Sequence, residues 1–409
     1  RNWTQSACVH LQRANAMSMV WAQKVDNSTF DLTSRLIDMQ FDESQRLQLI
    51  ARTRDGGLGF GSAVQRNTAA WLGAWQDGLQ HVAHSINCAS LEQFEARFPA
   101  WAACRQTMDD RLSRETGFPT EPGRWIVALA NAPEKSQREH AKRVKLHAQK
   151  HLRDSLNEDS KLSYHMCVGT EAAAFLYLDE DDKPMPDDHL AASIRRRLRH
   201  ECPALQLGAC LHRNARGEQC GHAQTPDGGH HAVVCPSGGG PHRRHNAVVA
   251  ALCTWLREYD IQSSREMVVP RWTRDEDNAI LDIALTHPQH GQIFVDVSVV
   301  DSAFTGAPRD NWWALSRRER AKHSRYPGAG LYPFVLDTRG RWGREADAFV
   351  RTVLQMIPKE LHAKALQRCR MLVSRALQMA VADALLSASY APGDANRGRA
   401  QRPRHGRRG

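Results

Sequence analysis

The chain has 409 residues, of which 41% are hydrophobic, so it can bury more than one core and two or three domains are expected. Its formal net charge of +10 favours a polyanionic partner, above all nucleic acid, although solvated basic faces would give the same balance. No apolar run approaches the roughly 18 residues of a membrane span, and we expect neither a membrane segment nor a signal peptide. Because the chain begins at Arg1 rather than Met, we expect a piece of a longer product.

The ten cysteines do not have the density of a disulfide framework in a chain of this length. They are scattered, and only the segment from Cys210 to Cys235 groups them. This pattern suits a reducing compartment and a single metal site.

Residues 1–130 carry apolar residues at helical spacing and are predicted to form a helical region. The string DGGLGFGS at residues 55–62 interrupts this pattern. It superficially resembles a phosphate loop, but it lacks the Lys-Ser/Thr ending and no predicted strand precedes it. A plain turn between two helices is the better interpretation.

Residues 131–205 are predicted to form a basic and largely helical linker region. Its first part, 131–161, is rich in lysine and arginine and shows little apolar face, so a solvated helix and a nucleic-acid-facing arm explain it equally well. The apolar string GTEAAAFLYL at 169–178 is predicted to be a buried helix. The string DDHLAASIRRRLRH at 187–200 is predicted to be a helix with an acidic start and a basic end.

Between residues 206 and 241 the composition changes to cysteine, histidine and glycine, which predicts a small zinc knuckle. Cys210, Cys220, His231 and Cys235 follow the pattern C-x9-C-x10-H-x3-C. Thiolate and imidazole ligands in a tetrahedral set select zinc. The ion would be structural, because four protein ligands leave no open coordination position for chemistry.

Two alternatives to this ligand set stay open. His230 and His222 are rival imidazoles, and free cysteines beside a loop histidine would give the same sequence pattern. The first gap of nine residues is also longer than the usual spacing within a knuckle. Zinc is favoured because the segment is too short for a core of its own and needs another source of stability.

Residues 242–357 alternate helices and strands in the order α, β, β, β, α, β, α. Valine and isoleucine dominate the predicted strands REMVV, AILDIAL and IFVDVSVV. The predicted fold class is α/β (α+β), with a helical N-terminal region and a zinc knuckle before the α/β domain. A further helix is predicted at 358–390, and the Arg-rich tail at 391–409 is expected to be disordered.

The predicted strands place carboxylates in apolar surroundings. Asp282 lies in ILDIAL and Asp296 in VDVS, and a buried aspartate is costly unless it is paired or binds a cation. Two such strands joined by a short turn form an antiparallel pair, which brings the carboxylates toward one edge. Glu266, in REMVV, supplies a third acid, and Lys322 lies on the following helix.

Carboxylates that hold Mg²⁺, with a lysine beside them, form a site suited to phosphodiester cleavage. The ion activates a water molecule, and the lysine stabilises charge on the phosphate. Aspartates that accept hydrogen bonds from backbone amides or an arginine would explain the two strand acids equally well.

The order of these motifs resembles the C-terminal part of the polyprotein of site-specific non-LTR retrotransposons that carry a restriction-like endonuclease. The likeness covers roughly residues 55–355, and DGGLGFGSA followed by AAWLGAW is similar to the segment after the reverse-transcriptase thumb. The matching motifs, in chain order, are the Cys-Cys-His-Cys knuckle, Arg244-His245-Asn246, the strand with Glu266, the strand with Asp282, VDVSVV with Asp296, and Lys322 with Arg325 and Tyr326.

This resemblance implies a PD-(D/E)xK-like αβββαβ endonuclease domain at 242–357. It implies that Asp282 and Asp296 are magnesium ligands and that Lys322 is a catalytic lysine displaced from its usual strand position. Glu266 would be an accessory acid.

The sequence also departs from the family pattern. Ser298 fills the usual strand position of the lysine, as the family allows. Leu281 stands where a proline normally precedes the first aspartate, and Ile280 stands where a basic residue is expected. Neither of the two missing residues supplies a catalytic group, so the departures do not exclude activity.

The implied function is that of a nuclear, Mg²⁺-dependent DNA endonuclease, which nicks target DNA so that the exposed 3′ hydroxyl primes reverse transcription. Its partners would be the target DNA and, through the full-length polyprotein, the element RNA, with no membrane involved. No Y/F-x-D-D polymerase signature occurs in the chain, so we expect no DNA synthesis by this chain alone. The alternative is a non-catalytic, zinc-dependent nucleic-acid-binding module with a decayed nuclease fold.

Overall fold

The computed structural model describes most of the chain and contains helices together with one four-stranded mixed sheet, which confirms the mixed α/β class. Two compact units are present, one made of residues 1–52 and 57–157, the other of 53–56 and 158–409. Of the described helices, none has the length and apolar character needed to cross a membrane. The described residues are 19–116, 136–177, 183–199, 209–210, 213–214, 216–222, 233–237, 239–273, 278–302 and 312–387.

The described part of the first unit is helical, as its apolar spacing predicts. Trp71, Trp75 and Trp101 pack with Phe94 in an aromatic cluster, with neighbouring ring centroids 5.0 to 6.3 Å apart. The glycine-rich string ends at Ser62, whose side chain caps the following helix. The helices are α1 (Met19–Ile37), α2 (Glu43–Ile50), α3 (Ala63–Ser85), α4 (Leu91–Arg97), α5 (Pro99–Thr116) and α6 (Ser136–Ser155).

Helix α6 differs from the linker or solvated arm expected for this basic segment. Val144 and Leu152 are buried, and they lie eight residues apart, which sets both on one face of the helix. That face packs against α3, while Lys142 and Lys150 are exposed. This narrow apolar face of α6 can be buried because both α3 and α5 pack against the helix.

The second unit begins with α7 (Glu158–Met166) and continues to α8 (Asp187–Arg197). The prediction of a helix at 169–178 was wrong for its described part. Residues 172–175 are buried, but the segment forms turns and a short 3₁₀ helix at Ala174–Leu176. Some of its backbone groups pair locally in these turns, and others pair with distant side chains. Phe175 N donates to Ser374 Oγ, and the Arg197 guanidinium donates to Ala172 O.

The sheet of the second unit has the strand order β1-β2-β3-β4. The first two pairs are antiparallel and the β3–β4 pair is parallel, with α10 between these strands in sequence. The alternation predicted from the sequence is observed, in the order α9 (Gly240–Glu258), β1 (Ser263–Val268), β2 (Ile280–His287), β3 (Gly291–Val300), α10 (Trp313–Arg325), β4 (Leu331–Asp337), α11 (Arg344–Leu354) and α12 (His362–Ser387).

The two faces of the sheet belong to different cores, because successive strand residues point to opposite sides. Val295 and its neighbours on one face join α9, α11 and α12 in the larger core, whereas Phe294 joins a smaller cluster with Trp272 and Tyr326. The indole of Trp255 donates to Ala365 O at 3.0 Å, which ties α9 to α12. The helix predicted as a separate segment at 358–390 is therefore part of the core of this unit.

Candidate functional site

The candidate site lies where the ladder between β2 and β3 ends. The paired residues run from His287–Gly291 to Ile283–Val295, and one further step would set Asp282 opposite Asp296. At this step the backbone ladder stops. The next backbone amide of β3, Val297 N, donates to the side chain of Asp282 instead, with a distance of 2.7 Å to Oδ2. The structure thus brings the two strand aspartates to the same end of the strand pair.

Asp296 is the more buried of the two acids. Its side chain is 8% exposed, and Lys322 Nζ from α10 lies 2.6 Å from its Oδ2. Burial raises the pKa of Asp296, the nearby Lys322 ammonium opposes this shift, and the Asp282 charge adds to it. The sequence prediction that Lys322 acts beside Asp296 is consistent with this ion pair.

His245 is part of the site, although sequence reasoning gave it no role beyond the Arg244-His245-Asn246 motif. It lies in the second turn of α9, and its Nε2 is 2.9 Å from Asp282 Oδ1. This hydrogen bond raises the pKa of His245, against the opposing effect of partial burial. The one sequence signal for His245 was its place in the Arg244-His245-Asn246 string near the start of a predicted helix.

The other two residues of that motif point elsewhere. Arg244 is buried, and its guanidinium donates to the carbonyl oxygen of Val233, two residues before Cys235. Burial lowers the pKa of Arg244 to about 10, so the side chain stays charged at neutral pH. Asn246 is exposed. Arg244 therefore links the start of α9 to the cysteine-rich segment, and His245 alone faces the carboxylates.

Glu266 lies on β1 between residues that pair with Ile283 and Leu281, so the register would set it opposite Asp282. Its side chain is exposed, and its backbone adopts the left-handed region with φ of 52°. Within the described part of the chain, His, Cys, Asp and Glu donor atoms come within 4.8 Å of one another in a group of three only at the cysteines. The structure does not bring Glu266 into such a group with the two aspartates.

A groove of about 620 Å³ opens beside the carboxylates. Its walls are the start of α9, the last residues of β3 and one face of α10. Arg318 Nε donates to Ser298 Oγ at 3.2 Å, so the serine at the usual strand position of the lysine holds an arginine from α10. The basic side chains that line the groove are those of His242, His245, Arg317, Arg318 and Lys322.

Asp282 and Asp296 are the residues that would hold a magnesium ion at this site. Mg²⁺ prefers hard oxygen ligands and is usually bound by one or two carboxylates, with water and phosphate oxygens completing its shell. No hydrogen bond of ordinary geometry from the described residues reaches Asp296 Oδ2, which is buried and is offset by the Lys322 ammonium. A buried carboxylate oxygen of this kind is suited to binding a cation.

The cysteines of the predicted knuckle also come together. The sulfurs of Cys210, Cys220 and Cys235 all lie within 4.8 Å of one another, and Cys210 Sγ is 3.8 Å from Cys235 Sγ. A disulfide would require about 2.05 Å. A tetrahedral zinc ion with Zn–S distances of about 2.3 Å separates its sulfurs by about 3.8 Å. The spacing therefore fits a shared metal ion and does not fit a disulfide.

The nine-residue gap between the first two cysteines is closed by local structure. Arg213 pairs with Gln219 across a tight turn, in which the Asn214 side chain accepts from two backbone amides. Cys210 N donates to His222 O at 2.7 Å, and Gly221 N donates to Cys210 O. This reversal brings the first cysteine next to the second, despite a spacing longer than usual.

The three cysteines account for three ligands of a tetrahedral zinc ion, and a histidine would supply the fourth. His222 Nδ1 is 3.6 Å from Cys220 Sγ, but it does not join the group in which all donor atoms lie within 4.8 Å. Desolvation by itself would raise the pKa of Cys220, but the combined hydrogen bonds with His222 and Cys235 outweigh it and lower this pKa, which favours the metal-binding thiolate. His231 and His230 lie outside the described residues.

No protein-family model matches this chain, and no curated protein sequence matches it. Inference about function therefore rests on the second unit itself. That unit combines two strand aspartates, a lysine and a histidine beside a basic groove with a separate cluster of three cysteines.

Proposed function

We propose that the second unit is a Mg²⁺-dependent DNA endonuclease of the PD-(D/E)xK type, the nuclease region of a retrotransposon polyprotein. The observation that carries the proposal is the meeting of Asp282 and Asp296 at the split end of β2 and β3, with Lys322 2.6 Å from Asp296. The order α9-β1-β2-β3-α10-β4 supports the αβββαβ arrangement of such nucleases.

In this proposal Asp282 and Asp296 hold the ion, which would activate a water molecule and offset charge on the scissile phosphate. Lys322 supplies a fixed positive charge to the phosphate in the transition state. His245 fixes the orientation of the Asp282 carboxylate through its 2.9 Å contact. Glu266 remains an accessory acid whose exposed side chain would have to turn toward the site.

We further propose that Cys210, Cys220 and Cys235 bind a structural zinc ion together with His231. The support is the 3.8 Å separation of Cys210 Sγ and Cys235 Sγ and the hairpin that closes the long first gap. Arg244 connects this cluster to α9, the same helix that carries His245. Zinc would thus stabilise the start of a helix that contributes to the nuclease site.

The wider role follows the same proposal. The nuclease nicks target DNA in the nucleus, and the exposed 3′ hydroxyl primes reverse transcription by a polymerase elsewhere in the polyprotein, on element RNA. The net charge of +10, the basic groove and the exposed lysines of α6 support a nucleic-acid partner.

A second candidate is a non-catalytic, zinc-dependent nucleic-acid-binding module with a decayed nuclease fold. Its support is the ion pair itself, because the Lys322 ammonium already offsets the buried Asp296 charge without a metal ion. Leu281, which replaces the expected proline, is fully buried and packs as an ordinary core residue.

The deciding experiment measures nicking of supercoiled plasmid with and without added Mg²⁺, at equal DNA occupancy. We expect Asp282→Ala and Asp296→Ala to abolish cutting, because each removes an ion ligand. Lys322→Ala should slow cutting by about 10²–10³-fold, the usual loss for a single transition-state donor. Half-buried Asp347→Ala and exposed Lys364→Ala, both away from the groove, are controls that should cut as the parent does.

DNA affinity and zinc content should survive all three site substitutions, since other residues supply them. A parent that binds DNA but never nicks it with Mg²⁺ would favour the second candidate. A parent that cuts while Asp296→Ala cuts equally well would put the active site elsewhere.

A further inference from the structure

One wall of the groove is a single face of α10, and its composition suggests what the groove holds. Trp313, Arg317 and Ala321 follow at intervals of four residues and all line the groove, with Lys322 at its far end. Trp313 and Lys322 are nine residues apart, which is about 13.5 Å along a helix. The wall is therefore long enough to lie along a short stretch of one nucleic-acid strand.

Trp313 and Arg317 form a pair within this wall. The Arg317 guanidinium carbon lies 4.9 Å from the Trp313 ring centroid, in a cation–π contact. Trp313 is half-buried and Arg317 is exposed. An indole beside a guanidinium offers a flat apolar surface and a positive charge together, which is the combination that binds bases and phosphates of single strands.

The size of the groove indicates whether a single strand or a duplex would bind there. A volume of about 620 Å³ is typical of a site for a small molecule or a short stretch of one strand. In a duplex each base is already stacked on its neighbours, so no base face is available to Trp313. A base can stack there only if it is unpaired.

We propose that the groove binds an unpaired nucleic-acid strand, with one base stacked on the Trp313–Arg317 pair and its phosphates beside Arg317 and Arg318. The proposal deepens the proposed nuclease, since such a strand would lead toward Asp296 and Lys322 at the other end of the wall. The binding itself requires no Mg²⁺ and no cutting. Trp313 and Arg317 are thus positioning residues for the strand, about 13.5 Å and about 7.5 Å along α10 from Lys322.

The test measures binding of the full chain, without added Mg²⁺ and without a chelator, to fluorescent oligonucleotides of one sequence as single-stranded DNA, duplex DNA and single-stranded RNA. We expect Trp313→Ala to weaken single-strand binding about tenfold or more, with little effect on duplex binding. Trp313→Phe should restore most of the loss. Arg317→Ala should reduce the slope of log K against log salt by about 0.7 for single strands. The DNA and RNA arms show which strand is preferred.

The matched control is Arg320→Ala, which removes the same charge from an exposed position of α10 that does not line the groove. It should change single-strand binding by less than about twofold. Equal losses for Arg317→Ala and Arg320→Ala, or an effect of Trp313→Ala on duplex and single strand alike, would overturn the proposal. If Trp313→Ala fails to fold, Trp313→Phe and Arg317→Ala decide. If the chain never nicks DNA but binds single strands in a way that depends on Trp313, the proposed nuclease activity is wrong and the proposed strand-binding groove stands.

Discussion

At the scale of single residues, Asp296 shows how a carboxylate can be kept inside an apolar strand. Burial raises the pKa of Asp296 and so disfavours its charged form. The Lys322 ammonium offsets part of this cost at 2.6 Å. The same desolvation would strengthen binding of a divalent cation, because an ion replaces contacts that the carboxylate lacks. A costly residue of this kind is a reasonable marker of a functional site.

The zinc ligands can be separated residue by residue. We expect about one equivalent of zinc in the purified protein, a loss with Cys235→Ser, and a loss with His231→Ala. His222→Ala should retain zinc, because its Nδ1 lies near Cys220 but outside the sulfur group. Metal analysis by mass spectrometry checks all of these variants, with His230→Ala as a further comparison. Zinc retained by His231→Ala and lost from His222→Ala would reverse the assignment of the imidazole.

A buried ion pair elsewhere in the second unit predicts a large stability effect. Arg196 Nη2 is 3.0 Å from Asp301 Oδ2, and Arg196 also donates to Thr338 O. Arg196→Met leaves the Asp301 charge poorly compensated in a buried setting, and we expect a loss of about 3 kcal/mol in the free energy of unfolding. Arg351→Ala breaks an ion pair whose arginine is 74% exposed, and should cost less than about 0.5 kcal/mol.

Urea unfolding of the full chain measures both changes. Equal, small losses for Arg196→Met and Arg351→Ala would show that the Arg196 network contributes little to stability. A large loss for Arg196→Met alone would identify it as a main tie between α8 and the residues that follow β3 and β4.

At the scale of elements, a histidine ties α8 to α12. His189 Nδ1 lies 2.7 Å from Asp188 Oδ1, and its Nε2 lies 2.9 Å from Asp383 Oδ1. Partial burial acts against the charged ring, but the hydrogen bonds to both carboxylates outweigh it and raise the pKa of His189. A raised folded-state pKa means that the contact stabilises fully below the unfolded pKa of about 6.5. Its contribution is lost as pH rises through the folded-state pKa.

We therefore expect the difference in unfolding free energy between the parent and His189→Gln to be largest near pH 6. It should shrink as the pH rises above the unfolded pKa of about 6.5 and through the higher folded-state pKa. Urea unfolding at several pH values measures this difference, and His362→Gln, on the same helix α12, is a suitable control. A difference that grows with pH would show that the neutral ring is the stabilising form.

At the scale of the whole molecule, the net charge governs binding to nucleic acid. We expect the DNA binding constant to fall steeply with salt, since bound cations are released from the phosphates. Deleting residues 391–409, which include six arginines, should flatten the slope of log K against log salt. Replacing those arginines by glutamine keeps the chain length and should flatten it equally. A slope near zero in the intact chain would show that phosphate contacts are few.

The sequence by itself determined the elements of the second unit. The alternation of helix and strand from α9 to α11 follows from local periodicity, which reports how a segment is buried. The two strand aspartates were also recognisable, because a charge among buried valines and isoleucines is costly wherever the strand is placed. The cysteine group could be proposed from its composition alone.

The tertiary structure decided which elements become neighbours. The periodicity of a segment shows which of its faces is buried but not which element covers that face. It therefore did not show that α12 packs against α9 or that α6 packs against α3. It also missed the contact between His245 and Asp282, which joins residues 37 positions apart. The string at 169–178 was wrongly predicted to be a helix: in its described part, the distant side chains of Ser374 and Arg197 bond to backbone groups that a helix would use. Such contacts depend on the assembled fold, where a bond between distant residues can outweigh a local preference.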